Sequence, residues 1–233
     1  MNLRATHTDD ASEHVSTAVL DAAIRPRYFL TFLRDILIII VIALLVSWFV
    51  KTYVVRSFFI PSGSMQNTLQ VHDRILVNEI AINRSTLNRG DIVVFQDPGG
   101  WLDGAPGTEP TLIEQALEVA GLTASDSGNH LIKRIIGLPG DHVVCCNDLG
   151  QIAVNGTPLD EPYIREPDRP SSSQPFDVEV PEDSLWVMGD NRNSSSDSRA
   201  NVSSPGKGFV PIQDVVGKAF LVVWPIAHIR LIG

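Results

Sequence analysis

Lysine is scarce in this chain, with only Lys51, Lys133, Lys207 and Lys218, and cysteine is scarcer, with only the adjacent Cys145 and Cys146. No Cys-x-x-Cys and no His-x-x-x-His spacing occurs, which argues against a zinc site, and no metal or cofactor is expected. Excess basic charge is missing too. The 18 Lys and Arg stand against 27 Asp and Glu, a formal net charge of −9. Phosphate binding needs a basic surface, so nucleic acid is excluded as the main partner; the acidity reads as solubility. No internal repeat is evident. The apolar fraction of 44% is ordinary for a globular chain and argues against disorder.

Long charge-free apolar runs are absent with one exception. Ile36–Val50 reads ILIIIVIALLVSWFV. Continued through Val55 it reaches the about 20 residues that a membrane crossing needs. Lys51 can snorkel, and Trp48 and Tyr53 suit an interfacial belt. A buried core helix would show a polar face, and this run has none. A cleaved leader would begin near Met1 and end in a small-x-small site, whereas here a long polar segment comes first and the run ends in Trp-Phe-Val-Lys. The reading is a retained anchor over 36–55, preceded by a flexible tail over 1–35. Arg25, Arg27 and Arg34 precede the span, and Lys51 and Arg56 follow it, which places the N-terminus in the cytoplasm and the remainder outside.

From Phe58 onward the chain reads as a β-rich domain over 58–233. RILV (Arg74–Val77), DIVVF (Asp91–Phe95), LIKRIIG (Leu131–Gly137), HVVCC (His142–Cys146), QIAVNG (Gln151–Gly156), SLWVMGD (Ser184–Asp190) and KAFLVVW (Lys218–Trp224) are strand candidates. Leu138-Pro139-Gly140-Asp141 and Asn155-Gly156 are turn signals. The segment 97–130 reads as an excursion from this β core. It carries one helix, with a capping box at Thr111 and Glu114 and a stop at Gly121.

Three segments carry candidate chemistry. Ser64 lies in Ile60-Pro61-Ser62-Gly63-Ser64-Met65, where a rigid proline precedes a permissive glycine. Such a turn can expose a side chain, though by itself it is equally an ordinary polar turn. Lys133 is the one lysine inside an apolar strand. Facing inward, its ammonium would be disfavoured and its amine could take a proton from a serine; facing outward, it would be a solvated edge lysine. Gly189–Arg199 (GDNRNSSSDSR) is dense in hydrogen-bonding groups. It reads either as a solvated loop or as a network in which Asp190, Asp197, Arg192 and Arg199 pair beside a site.

Taken in series, IPSGSM (60–65), DRILVN (73–78), KRIIGLPGD (133–141), GDNRNSSSDSR (189–199) and GKAFLVVWP (217–225) resemble the bacterial type I signal peptidases, or leader peptidases. The resemblance covers Phe58 to the C-terminus together with the anchor. The tail and the excursion match no motif, although their presence resembles actinobacterial members. The resemblance implies a mainly β fold: an antiparallel β-sheet catalytic core with a smaller β extension, preceded by one N-terminal transmembrane helix. It implies Ser64 as nucleophile and Lys133 as general base. The Ser64 N–H and the Ser62 hydroxyl would form the oxyanion hole, and Ser195 would orient the lysine. Asp197 with Arg199, and Asp190, would support the site. Ile60, Pro61, Met65, Leu69, Ile75 and Ile132 would wall shallow substrate pockets. The implied partners are signal peptides of exported preproteins, cut after Ala-x-Ala-like sites, and membrane lipid. The implied location is the cell membrane, with a single pass and an extracytoplasmic catalytic domain.

His72 stands where the family often has glycine, and Gln66-Asn67-Thr68 lacks a common proline. Lys133 favours the bacterial type over endoplasmic-reticulum relatives, which carry histidine there. A pilin-processing peptidase, a self-cleaving repressor and a catalytically silent peptide-binding module remain alternatives. The anchor stands where a repressor would carry its DNA-binding domain, and labelling of Ser64 by a penem would separate an active dyad from a silent module. Cys145 and Cys146 are expected to remain unpaired, because neighbours in an extended strand point to opposite faces and a vicinal bridge needs unusually close Cα atoms.

Overall fold

The computed structural model describes residues 28–47, 55–80, 82, 85–102 and 129–232. The tail residues Arg25 and Arg27, the flanking Trp48, Lys51 and Tyr53, and the helix expected from Thr111 to Gly121 lie outside the described residues. Two units are compact, Met1–Phe49 and Val50–Gly233.

The first unit contributes one helix, α1 (Tyr28–Ser47), 20 residues long with a mean hydropathy of 2.7 and no part of that window buried in protein. At about 1.5 Å per residue it is about 30 Å long, the thickness of a bilayer's hydrocarbon core. The helix begins before the charge-free run at Ile36. Tyr28, Phe29, Leu30, Phe32 and Leu33 extend its apolar surface, and Arg34 and Asp35 neutralise each other at 2.9 Å. At the other end Val55, placed within the span by the sequence reading, opens a strand.

The second unit is built from two antiparallel sheets. Its strands are β1 (Val55–Phe59), β2 (Arg74–Asn78), β3 (Ile92–Gln96), β4 (His130–Gly137), β5 (His142–Cys145), β6 (Ile152–Val154), β7 (Thr157–Pro158), β8 (Phe176–Glu179), β9 (Ser184–Met188), β10 (Val210–Pro211), β11 (Val215–Trp224) and β12 (Arg230–Leu231). The larger sheet runs β1-β2-β11-β3-β4-β9-β10, with β12 on β11; the smaller runs β7-β6-β5-β8. This is the expected mainly β core with a smaller β extension. Val, Ile and Phe at alternating positions explain the half-buried strands, as in β2, where Ile75 and Val77 are buried and Arg74 and Asn78 exposed. β4 is different: seven consecutive residues are buried, because β3 and β9 flank it and side chains pack on both faces. It also joins the cores. Ile132 packs with Phe58, Met65 and Leu69; Ile135 with Phe95 and Leu185; Ile136 with Trp186 of β9 and with Val143 in the extension. Asn155 and Gly156, both at positive φ, close the tight β6–β7 hairpin.

One expectation is corrected. Cys145 and Cys146 are joined by a disulfide. The contrary reading assumed an extended trans strand. β5 ends at Cys145, and the peptide between the two cysteines is cis, which brings their Cα atoms to 3.0 Å.

Candidate active site

Ser64 is carried on a turn anchored at both ends. Beyond β1 the ladder continues for one residue, with the Ile60 N–H donating to the Asp73 carbonyl and the His72 N–H to the Ile60 carbonyl, both at 2.9 Å. Pro61 lacks an N–H and the chain leaves the sheet. Gln66 N–H then closes a turn onto the Gly63 carbonyl, and Met65 and Leu69, both fully buried, pin the turn from beneath. A second segment fixes the backbone at Ser64. Asn191 donates its N–H to the Ser64 carbonyl and its Nδ2 to the Gly63 carbonyl, each at 3.0 Å.

Lys133 reaches this turn from the middle of β4, opposite Val93 of β3. It is 3% exposed, and its Nζ lies 3.0 Å from Ser64 Oγ and 3.1 Å from the Ile132 carbonyl. Burial lowers the lysine pKa from 10.5 to about 8; the charges of Asp197 and Asp190 oppose that shift only partly. A neutral amine is therefore accessible in mildly alkaline solution. One of its hydrogens is held by Ile132, and its lone pair is available to the Ser64 hydroxyl. Ser62 is exposed on the same turn, its Oγ 3.4 Å from Ser64 Oγ.

Ser195 also comes to the site, but its buried hydroxyl has no hydrogen-bond partner among the described residues. Its position follows from Gly189. A Cβ added to Gly189 would lie 2.3 Å from Ser195 Oγ and 2.5 Å from the Ser64 carbonyl oxygen. Gly189 thus lets the end of β9 pass directly against Ser64 and Ser195.

The supporting charges sort into three buried pairs, and the sequence reading identified only one complete pair. Asp197 takes Arg199 in a two-pronged contact of 2.7 and 2.9 Å and accepts the Gly189 N–H at 3.1 Å. Asp190 is held by Arg134 at 2.7 and 2.8 Å and by the Thr68 hydroxyl at 2.5 Å. Arg192 turns away from both aspartates to Glu161, which also accepts from the Ser171 hydroxyl. Removing one member of such a buried pair strands the other, at about 3–5 kcal/mol. Arg134, Asn191, Glu161 and Tyr163, whose ring lies 3.9 Å from the Arg134 guanidinium, were not singled out from the sequence. Arg134 and Asn191 lie within motifs already noted, where a charged residue next to Lys133 and an amide next to Asp190 were the available signals. Glu161 and Tyr163 offered none.

On the side of β4 that precedes Lys133, a small, mostly apolar depression is lined by Phe58, Phe59, Ile60, Pro61, Val94, Leu131 and Ile132 together with His130. Of the candidate wall residues, Ile60, Pro61 and Ile132 line it. Met65, Leu69 and Ile75 do not; they are fully buried in the cluster that Ile60 and Ile132 share.

Residues 33–224 match the family model described as signal peptidase, peptidase S26. Signal peptidase I of Mycobacterium tuberculosis is 37% identical over 216 residues, covering 83% of this chain and 73% of the relative. A probable signal peptidase I-2 of Synechocystis is 36% identical over 82% of this chain and 73% of its own length. A crystal structure of a signal peptidase I from Enterococcus faecalis is 26% identical, covers 57% of this chain and 95% of its own, and superposes with a TM-score of 0.36.

Proposed function

Because the chain belongs to the signal peptidase family, peptidase S26, we propose that it removes N-terminal signal peptides from exported preproteins with Ser64 as nucleophile and Lys133 as general base. The observation that carries this reading is the buried Lys133 amine 3.0 Å from Ser64 Oγ, with its pKa lowered to about 8.

Neutral Lys133 accepts the Ser64 proton as Oγ attacks the carbonyl before the scissile bond. The resulting oxyanion is received by the Ser64 N–H and the Ser62 hydroxyl. Protonated Lys133 then gives its proton to the leaving amine, and a water activated by the same amine hydrolyses the ester. Ser195 orients the lysine amine, and its buried, unpartnered hydroxyl supports that role. Asp190, Asp197 and Arg199 hold the loop that carries it.

The substrate binds extended. β1 pairs with β2 along one edge only, and the first half of β4 pairs with β3 alone, since β9 joins it only from Arg134 onward. A peptide can add its backbone to these edges. The apolar depression beside them suits the small side chains before the cut. α1 holds the enzyme in the cell membrane as a single span, with the N-terminus cytoplasmic and the catalytic unit outside.

Two measurements test this reading. Replacing the alanine at the first or third position before the cut with phenylalanine should lower kcat/KM at least about tenfold, because a shallow apolar hollow rejects a large ring by clash. Equal turnover of both preproteins would sink the proposed specificity. With chemistry limiting, kcat should rise with pH through about 8 and then level off, because the active base is the deprotonated amine and deprotonation increases as pH passes the lowered pKa. A rate that falls over that interval would assign the base elsewhere.

A further inference from the structure

The stretch from Glu161 to Ser171 forms a strap across the back of the catalytic turn, and the proposed mechanism gives it no role. It is held at several points. Buried Glu161 pairs with Arg192 and accepts from Ser171 and from the Tyr163 hydroxyl. Burial and the neighbouring Glu161 charge push the Tyr163 phenol far up, so it remains a donor. Asn67 donates to the Tyr163 and Ile164 carbonyls, and the Arg165 N–H donates to the Asp190 carbonyl at 3.0 Å. A strap fixed in this way presents two exposed arginines; Arg169 pairs with Glu166 at 3.0 Å, which leaves Arg165.

Among the described residues the Arg165 guanidinium meets no carboxylate. It donates to Gln66 Oε1, a neutral acceptor. Of the acids on and beside the strap, Glu166 is engaged by Asn193 and Arg169, Asp190 by Arg134 and Glu161 by Arg192, and exposed Asp168 makes no ion pair with Arg165 among the described residues. The Gln66 side chain lies against Gly63, its Cδ 3.0 Å from where a Cβ would stand there. One glutamine side chain therefore separates the unneutralised charge from the residue before Ser64. The apolar depression lies along β4 before Lys133, whereas the strap touches the segment after it, through Arg134 and Asp190. A peptide with its small residues in the depression would leave Ser64 on the strap's side.

Resting on the proposed peptidase reading, we propose that Arg165 is a specificity residue for the product side of the cut, reading an aspartate or glutamate in the first three residues of the released chain. With one donor taken by Gln66, the planar fork keeps donors for a two-pronged carboxylate contact.

The test uses the full-length enzyme in detergent and paired preproteins that differ only in aspartate, asparagine or lysine at the second position after the cut. The wild type should favour aspartate over asparagine roughly fivefold in kcat/KM, as for a largely exposed charge pair, and the preference should shrink as salt is raised. Arg165→Gln should bring the ratio to about one, and Arg165→Glu should invert it in favour of lysine. A merely structural role would lower all three substrates together and leave their ratios unchanged. An unaltered ratio in Arg165→Gln overturns the inference. So does a loss shared by all substrates that is seen only in anionic-lipid vesicles, which would make Arg165 a headgroup contact. Cleavage with flat ratios in the wild type defeats this inference alone, whereas no Ser64-dependent cleavage of any substrate defeats the peptidase reading and the inference with it.

Discussion

Ser64→Ala and Lys133→Met should each reduce preprotein cleavage by at least about 10⁴-fold, and the double variant should be scarcely worse than either single one, because nucleophile and base act as one unit. Methionine is chosen because it fills the space of the lysine stem without an amine, so the core around the position stays packed. Lys133 is 3% exposed and its desolvated charge disfavours the folded state at low pH, so Lys133→Met should melt no lower than the wild type. Kinetics on purified preprotein, with thermal melts of the same samples, check both halves. Turnover within tenfold of wild type in Lys133→Met would mean that another group deprotonates Ser64.

Gly189→Ala should lower kcat by about 100-fold or more, the usual consequence of moving a reacting group by about 1 Å. The added methyl group would stand 2.5 Å from the Ser64 carbonyl oxygen and 2.3 Å from Ser195 Oγ, closer than real Cβ atoms approach other heavy atoms. The Ser195 hydroxyl, which has no partner among the described residues, can rotate aside, but the backbone cannot give way freely. The Ser64 carbonyl is tied to the Asn191 N–H at 3.0 Å, and Gly189 itself to Asp197 at 3.1 Å. The strain is released by moving the turn that carries Ser64, which lengthens the 3.0 Å contact to Lys133. Penem labelling of Ser64 should slow in parallel while the protein retains a cooperative melt. A variant that unfolds cooperatively and acylates at the wild-type rate would show that the close approach at Gly189 does not set the geometry of the site.

The strand pattern was legible where apolar residues are dense. Every run picked out from Arg74 onward contains a strand, because β-branched residues bounded by Gly, Pro and Asn dictate extended structure locally. The two-residue β7, β10 and β12 escaped, and so did β1 and β8, since VRSFF and FDVE carry charges or lie next to the anchor and become strands only by pairing with β2 and β5. Within the site, Ser64 and Lys133 stood out because a proline-glycine turn and a lone lysine in an apolar strand are each locally unusual. The partners of the charged residues did not. Asp190 has Arg192 two positions away, yet its carboxylate goes to Arg134, 56 positions distant, while Arg192 reaches back 31 positions to Glu161. Proximity along the chain misled because β4 and β9 are neighbours in the sheet, and their register brings Arg134 opposite Met188, just before Gly189 and Asp190.

By itself the sequence determined a β-rich unit following one apolar helix, singled out Ser64 and Lys133 as candidates, and carried the family kinship. These are properties of composition, local periodicity and motif, and local chemistry is enough to set them. Only the tertiary structure decided that the Lys133 amine is desolvated and 3.0 Å from a hydroxyl 69 positions away, that a Cβ at position 189 would crowd Ser64 and Ser195, which acids are engaged, and that Arg165 meets Gln66 without a counter-charge among the described residues. The physical reason is that a pKa, a clash and an unpaired charge depend on distance and burial, and the sheet's strand order, rather than the order of residues, sets both.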